Sequence, residues 1–196
     1  YTVGRRGVQF LDFGVMPGAG WVRDQNYAGP FVGMKAIIPQ SQFAAHATAD
    51  TYLTALDVNI IRLADVVLMA AECHVELGQL GEALTLVNSI RVRAAKLPAK
   101  LTGTGVAAAK YNVKPYPAFA NKEYAQKAVR FERRLELAME GHRFYDLVRW
   151  GTVKEVLTSY AAFEGQYLPS FKNLVFNEHN TYFPIPQSEI DKSMGT

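Results

Sequence analysis

Three carboxylates recur at intervals of four residues in an arginine-rich stretch of the chain. At this spacing Glu132, Glu136 and Glu140 would line one edge of a helix, and two of them could form the acid/base pair that hydrolyses glycosidic bonds. Nearby arginines favour ionised carboxylates, however, which suit ion pairing better than proton donation. The residues that lie close enough in sequence to neutralise the three carboxylates are Arg133, Arg143 and Arg149, together with Asp146. We therefore expect a structural charge network and no catalytic pair.

A second polar set lies in an otherwise apolar segment upstream. Arg62, Asp65, Glu72 and Glu76 follow three- and four-residue spacing, with Met69 filling the remaining step. On a helix these side chains form one stripe. The expected members of the structural network are Arg62, Asp65, Glu72, Glu132, Glu136, Glu140, Arg143, Asp146 and Arg149.

Other reactive residue types lack the spacing of a functional site. The histidines show no paired metal-ligand spacing; they are His46, His74, His142 and His179. No GxSxG sequence supplies a nucleophilic serine, and the Gly103–Gly105 pair lacks the rest of a dinucleotide fingerprint. Cys73 lies in an apolar helical pattern, which predicts a small buried hydrophobe. The sequence thus predicts no metal and no cofactor.

The composition is that of a globular protein. The 196 residues are 49% hydrophobic and 20% charged, with two Trp, ten Tyr and eleven Phe. So many aromatic side chains need a core or a binding surface, which excludes intrinsic disorder. The formal net charge is +3, and without a long basic run we expect no nucleic-acid partner. No apolar stretch reaches the roughly 18 residues of a membrane span.

The pattern of glycine, proline and apolar residues divides the chain into five segments. Residues 1–58 are rich in Gly, Pro and aromatic residues, which predicts loops and short strands. The pattern predicts a helical hairpin over residues 59–95 and a loop over residues 96–121. It predicts a second hairpin over residues 122–163, with a bend at Gly151. Residues 164–196 are expected to be an irregular tail, because prolines disfavour a helix there. We therefore expect a mainly α fold of tetratricopeptide-like helical hairpins with long irregular loops.

Capping residues predict where the helices begin and end. Asn59 suits the N-cap of the first helix, and Gly78 suits its stop. Asn121 suits the N-cap of the third helix, which we expect to run to about Glu140, with Gly141 as its stop. The apolar face of the second helix is predicted to be Ala83, Val87, Ile90 and Ala94, and that of the third Ala128, Phe131, Leu135 and Ala138.

Three segments of the chain carry a family resemblance. They are residues 61–72, followed by Asn88, Arg91 and Arg93; residues 132–151; and residues 183–190. Their order and spacing resemble the carboxy-terminal part of the SusD/RagB family. Residues 5–7, 21–25 and 29–30 also look like that family.

The resemblance implies a lipid-anchored protein on the surface of the bacterial outer membrane. It implies binding of a glycan or oligosaccharide without catalysis, and partnership with a SusC-type TonB-dependent porin, over which the protein acts as a lid. Family members are longer than this chain, which we expect to be a carboxy-terminal portion. Contact with the membrane is therefore expected only through a lipid anchor outside this chain. Cys73 lies mid-helix and is not expected to be that anchor.

Candidate ligand contacts come from the residues themselves, since the resemblance transfers none. A sugar ring stacks its apolar C–H face on a flat aromatic ring, while its hydroxyls pair with polar side chains. The opening segment offers both types, and the expected binding residues are Trp21, Arg23, Asp24, Tyr27 and Phe31. The alternative is that these rings fill the core of the scaffold.

Two classes of function stay open at this point. The favoured one is non-enzymatic capture of a glycan, or of another nutrient, for import. The alternative is a tetratricopeptide-type interaction scaffold whose loops hold a partner protein. A hydrolase ranks third, because the carboxylates are expected to be ionised.

Overall fold

The computed structural model is mainly α-helical, as the sequence predicts. It describes residues 59–99 and 112–194, the backbone of two short strands, and a few single positions, namely Lys35, Ala44, Ala45, Ala55, Asp57, Gly105 and Ala107. The strands, β1 (Thr2–Val3) and β2 (Gln9–Phe10), pair in antiparallel fashion, with Thr2 opposite Phe10.

Helices α1 (Leu63–Glu76) and α2 (Leu80–Ala95) form a helical hairpin. Gly78 lies between them with a φ of 77°, a left-handed conformation that glycine adopts without steric cost. Its N–H donates to the carbonyl of Val75 at 3.1 Å, and the N–H of Gln79 donates to that of His74 at 2.8 Å. These two bonds make the Schellman motif, so Gly78 ends α1 as predicted.

The start of α1 differs from the prediction. Arg62 occupies the N-cap position, so the helix begins four residues after Asn59. The carbonyl of Arg62 accepts the N–H groups of Asp65 at 3.0 Å and Val66 at 3.4 Å. Its side chain does not cap the helix but points to a later part of the chain.

Helix α3 (Lys122–Glu136) packs against both helices of the hairpin. Asn121 caps it as predicted, because its side-chain oxygen accepts the N–H of Tyr124 at 2.8 Å. The three helices bury small and branched apolar side chains between them: Ala64, Leu68, Ala71, Val75, Ala83, Val87, Ile90, Ala125, Ala128 and Val129, with Phe119 from the preceding segment. The predicted apolar face of α2 is confirmed at three of its four positions, since Ala83, Val87 and Ile90 are buried here.

Polar side chains tie α1 and α3 together in an antiparallel arrangement. Glu76, the last residue of α1, accepts from Lys122 at 2.7 Å and from Gln126 at 2.6 Å, near the start of α3. Arg62, just before α1, contacts Glu136 at the end of α3. The two helices are therefore tied at both ends.

The predicted burial of Cys73 is wrong. Cys73 is exposed, whereas α1 buries the side that carries Leu68, Ala71 and Val75. Ten of the fourteen positions of α1 are apolar, so the sequence pattern alone does not show which side faces α2 and α3. The core-facing side is set by the two helices that pack on it.

The predicted apolar stripe of α3 is also wrong in part. Phe131 and Leu135 are 51% and 50% exposed, while Glu132 and Arg133 are buried. Polar groups can be buried when they are paired, and both of these side chains find ionic partners on the hairpin. The buried face therefore follows the ion pairs and not the largest apolar residues.

Helix α3 ends at Glu136, earlier than expected. A turn follows, in which Met139 has a φ of 66° and Gly141 a φ of 84°. Next come α4 (His142–Arg149) and α5 (Val153–Glu164), separated at Gly151, whose φ is 68°. The break at Gly151 lies at the predicted bend.

The chain divides into two compact units, Tyr1–His142 and Arg143–Thr196. The boundary falls inside the segment predicted as a second hairpin. The second unit continues after α5 with two 3-10 helices, Pro169–Phe171 and Glu178–Thr181, and with α6 (Gln187–Ser193). Its buried apolar side chains include Leu147, Val153, Ala161 and Leu168. The expected tail thus contains short helices as well as the irregular proline stretch.

Replacing Gly78 with alanine should destabilise the protein by about 1 kcal/mol, because a Cβ is unfavourable at a left-handed φ. No atom lies within 4 Å of the added Cβ, so the cost is conformational and not steric. Gly81→Ala is the control, since Gly81 lies in the first turn of α2 with an equally open Cβ position. Alanine there should be neutral or stabilising. Urea unfolding of both variants tests this, and equal stability of the two would contradict it.

Candidate functional site

The carboxyl end of α3 meets the amino end of α1 through the guanidinium of Arg62. Its Nε and Nη2 donate to Oε2 and Oε1 of Glu140, both at 2.7 Å. Its Nη1 donates to Oε1 of Glu136 at 2.9 Å, and Nη2 also donates to the carbonyl oxygen of Glu136 at 3.1 Å. One side chain therefore holds two carboxylates and a helix-terminal carbonyl. Such forked geometry is characteristic of strong arginine pairs.

Two further cations complete this group. Nζ of Lys35 donates to Oε1 of Glu140 at 2.5 Å and to the carbonyl oxygen of Glu136 at 2.6 Å. Nη2 of Arg93, near the end of α2, donates to Oε1 of Glu136 at 2.5 Å. We call Lys35, Arg62, Arg93, Glu136 and Glu140 the Arg62 cluster. Each of its carboxylates has two cationic partners within the cluster.

The turn after α3 brings Glu140 to Arg62. The N–H of Leu137 still donates to the carbonyl of Arg133 at 2.9 Å, and the N–H of Glu140 donates to that of Leu137 at 3.2 Å. Between them Met139 adopts its left-handed φ, which costs a non-glycine residue about 1–2 kcal/mol. The cations also satisfy a carbonyl at the negative end of the helix dipole. We infer that the ion pairs of Glu140 offset the cost at Met139.

The cluster keeps its carboxylates ionised. Hydrogen bonding from Arg62 outweighs burial and, with help from Lys35, lowers the pKa of Glu140 to about 2. Burial acts to raise the pKa of Glu136, but hydrogen bonds from Arg93 and Arg62 hold it below its usual value. The same bonds, above all those to Glu140, raise the pKa of the Arg62 guanidinium. Neither carboxylate is suited to donate a proton near neutral pH.

A second set of contacts fastens residues 112–121 to α2. Nδ2 of Asn88 donates to the carbonyl of Tyr116 at 2.9 Å, and the N–H of Tyr116 donates back to Oδ1 of Asn88 at 2.8 Å. Arg91 donates to the carbonyl of Lys114 and to Oε2 of Glu132, each at 2.6 Å. Pro115 and Pro117 have no backbone N–H to donate to a regular ladder of hydrogen bonds. Side chains from α2 form hydrogen bonds with the backbone of this segment instead.

Asp65 of α1 and Arg133 of α3 form an almost fully buried ion pair. Nη1 of Arg133 and Oδ1 of Asp65 are 2.8 Å apart. The Arg133 side chain is only 3% exposed and that of Asp65 only 8%. Removing one partner of such a pair leaves a charge buried without compensation, which typically costs about 3–5 kcal/mol. This pair is therefore expected to be intolerant of single substitutions.

The remaining predicted members lie on α1 and in the second unit. Glu72 is partly buried on α1. Arg149 pairs with the buried Asp146, with Nη2 and Oδ1 2.9 Å apart. The guanidiniums of Arg149 and Arg143 lie 4.9 and 5.9 Å from the centre of the Trp150 ring, a cation–π geometry. Arg143, Asp146 and Arg149 thus form a local group with Trp150 in the second unit.

The structure assigns the partners of the three glutamates differently from the sequence. Glu132 binds Arg91, and the cations of Glu136 and Glu140 are Arg62, Arg93 and Lys35. The predicted neighbour Arg133 pairs with Asp65 instead. Arg91 and Arg93 were visible only through the family resemblance, and no sequence signal marks Lys35, which lies more than 100 residues away from its partners.

The predicted ligand residues Trp21, Arg23, Asp24, Tyr27 and Phe31 lie outside the described residues. Among the residues that the structure does describe, no three His, Cys, Asp or Glu side chains converge in a way that could hold a metal ion. In the same part of the chain, every helix is too short or too polar to cross a membrane.

Neutralising Glu136 should lower stability by about 1–3 kcal/mol, because Glu136→Gln removes the carboxylate that binds Arg93 and leaves Arg62 with Glu140 as its one anionic partner in the cluster. Glu123→Gln is a matched control on the same helix, since Glu123 and its partner Lys127 are 76% and 74% exposed. Exposed pairs contribute about 0–1 kcal/mol. The check is chemical denaturation of both variants, and equal losses would argue against a structural role for the cluster.

Low pH should reduce the free energy of unfolding, in part because Glu140 becomes protonated. Its pKa falls from 4.5 to about 2 on folding, so its contribution is complete above about pH 5 and is lost as the pH falls toward 2. Because water screens part of the cluster, we expect this contribution to be about 1–2 kcal/mol. The measurement is the unfolding free energy against pH for wild type and Glu140→Gln. Their difference should shrink between pH 5 and 2, and a constant difference would contradict the assignment.

Comparison with known proteins gives the family. A sequence model of the SusD family matches residues 23–195. SusD-like protein P25 of Formosa agariphila is 31% identical over 131 residues, 67% of this chain and 21% of that protein. SusD-like protein P38 of the same organism is 41% identical over 103 residues, 52% of this chain and 19% of that protein, so the chain spans about a fifth of the length of these relatives. Since the family match covers most of its length, the chain belongs to the SusD family.

Proposed function

We propose that the protein captures a glycan or oligosaccharide at the bacterial cell surface for import. The observation that carries this proposal is membership of the SusD family over residues 23–195. We place the protein at the outer membrane, held there by a lipid anchor. Its partner in import is a SusC-type TonB-dependent porin, to which it passes the bound ligand.

The described helices support binding without catalysis. A glycosidase needs one carboxyl group that is protonated near its working pH, whereas Glu136 and Glu140 have lowered pKa values and are already hydrogen-bonded to cations. Glu132 is likewise paired with Arg91. The three carboxylates that could have formed an acid/base pair are thus used to join helices. We infer that the ligand is held and released unchanged.

The ligand contacts are proposed to lie in the opening segment. Trp21, Tyr27 and Phe31 supply rings for stacking, and Arg23 and Asp24 supply hydrogen-bonding groups for hydroxyls. In the described helices, the charged groups of the Arg62 cluster are already engaged with each other.

Removing the Trp21 ring should weaken oligosaccharide binding roughly 5- to 30-fold, equivalent to about 1–2 kcal/mol for one aromatic contact. Stability should change little if the ring is exposed to ligand. Titration calorimetry of Trp21→Ala against a panel of oligosaccharides, with a melting curve, measures both quantities. Trp150→Ala is the control, because Trp150 already packs under Arg143 and Arg149, and its affinity should match that of the wild type.

Three outcomes would count against this assignment. A lower Tm with unchanged affinity would make Trp21 part of the core. Turnover of the oligosaccharide that disappears in Glu136→Gln would make the protein a hydrolase. Retention of a partner protein at saturating oligosaccharide, without any sugar binding, would favour a tetratricopeptide-type interaction scaffold.

A further inference from the structure

Arg91 of α2 contacts two other parts of the chain at once. Its Nε donates to the carbonyl oxygen of Lys114 at 2.6 Å, and its guanidinium lies 4.7 Å from the centre of the Tyr116 ring. Its Nη1 donates to Oε2 of Glu132 on α3, also at 2.6 Å. We call residues 112–120, which include Lys114 and Tyr116, the strap. One side chain thus joins the strap to α3.

The strap is held by side chains and not by pairing of its own backbone. Among the described residues, no backbone group of residues 112–120 forms a hydrogen bond with another backbone group. Asn88 forms two bonds with the backbone of Tyr116, and Arg91 forms the one with Lys114. Segments with few backbone hydrogen bonds and much exposed surface open locally at a lower free energy than the core. The strap therefore has the features of a unit that opens separately.

The ring of Phe119 anchors the strap in its closed position. Phe119 is buried in the core that α1, α2 and α3 share. The ring of Tyr116 packs against the same core, with its centre 5.7 Å from that of Phe119. Opening has to withdraw both rings from apolar surroundings, so the closed strap is favoured. The other strap residues are exposed, namely Asn112, Val113, Lys114, Pro115, Pro117, Ala118 and Ala120.

Glu132 depends on the guanidinium that also holds the strap. The Glu132 side chain is only 6% exposed and that of Arg91 only 14%, and a buried carboxylate without its cation is costly. Contacts with Lys114 and Tyr116 restrict the guanidinium while the strap is closed. Opening removes both contacts and lets Arg91 turn toward water. The closed strap therefore favours the Arg91–Glu132 pair, and by linkage that pair favours the closed strap to the same extent.

We propose that Arg91 couples the opening of the strap to the pairing of α2 with α3. In this device Asn88 and Phe119 hold the strap directly, whereas Arg91 makes its closure depend on Glu132. An event that loosens the strap weakens the Arg91–Glu132 pair, and loss of the pair loosens the strap. The inference does not depend on the proposed function.

Opening of the strap can be measured at Phe119 and at Tyr116. Chymotrypsin must bind the Phe119 ring to cleave after it, and this ring is buried in the closed strap. The rate of that cleavage therefore follows the open population. The N–H of Tyr116 donates to Asn88, so its hydrogen exchange reports the same opening. Amide exchange in α1 is the reference for unfolding of the whole helical unit.

Neutralising Glu132 should open the strap, although Glu132 lies outside it. Glu132→Gln replaces the charge-assisted bond from Arg91 by a neutral and weaker one. We expect cleavage after Phe119 and exchange at Tyr116 to become about 5- to 30-fold faster, with a smaller change in α1. Glu123→Gln is the matched control on α3, because Glu123 pairs with Lys127 at the surface. The control should change neither rate.

The effect of Glu132→Gln should require Arg91. Arg91→Met should itself open the strap, and adding Glu132→Gln to that variant should change cleavage after Phe119 by less than about twofold. If Arg91→Met does not fold, Asn88→Ala tests the coupling from the strap. It loosens the strap directly and should speed amide exchange near Glu132 by about 3- to 10-fold relative to α1.

Four results would overturn the proposal. Cleavage at the wild-type rate in Glu132→Gln would show that the strap closes independently of α3. Equal acceleration in the strap and in α1 would make Glu132 a general stabilising residue. An effect of Glu132→Gln that is as large in Arg91→Met as in the wild type would show that the coupling does not act through Arg91. Unchanged exchange near Glu132 in Asn88→Ala would show that the strap does not act on α3.

Discussion

The ion pairs of the Arg62 guanidinium are the contacts on which the packing of α1, α2 and α3 depends. It lies at the N-cap of α1 and binds Glu136 and Glu140 at and beyond the end of α3. Arg93 of α2 binds the same Glu136, so three helices meet in one cluster. At the opposite end, Glu76 binds Lys122 and Gln126, but these contacts are more exposed and therefore weaker. Of the contacts at the two ends, those of Arg62 therefore contribute more to holding α1 against α3.

Polar contacts determine the register of the three helices, which the apolar core leaves undetermined. The interface between the three helices consists largely of alanine and valine side chains, whose burial is favourable but not directional. Helices that meet through such small groups can slide relative to each other at modest cost. The Asp65–Arg133 pair and the Arg91–Glu132 pair have defined partners, so a shift by one turn would leave buried charges unpaired. We attribute the register of the helices to these pairs.

Local features of the sequence predict much of the fold, and distant pairings account for the errors. Gly78, Asn121 and Gly151 mark helix boundaries through backbone chemistry that involves only a few neighbours. The side of α1 that faces the core, the exposure of Phe131 and the partners of Glu140 depend on residues tens of positions away. A helical pattern shows which residues share a face, but not which face finds a partner. The candidate ligand residues rest on residue type alone and lie outside the described residues.

The polar groups of the Arg62 cluster are largely engaged with each other. A sugar hydroxyl needs a polar group with an unused donor or acceptor. In the Arg62 cluster, Oε1 of Glu140 accepts from Arg62 and Lys35, Oε2 accepts from Arg62, and Oε1 of Glu136 accepts from Arg62 and Arg93. A hydroxyl that bound there would have to displace a charge-assisted bond by a neutral and weaker one. Internal pairing of this kind suits the cluster to joining α1, α2 and α3 better than to binding a neutral hydroxyl.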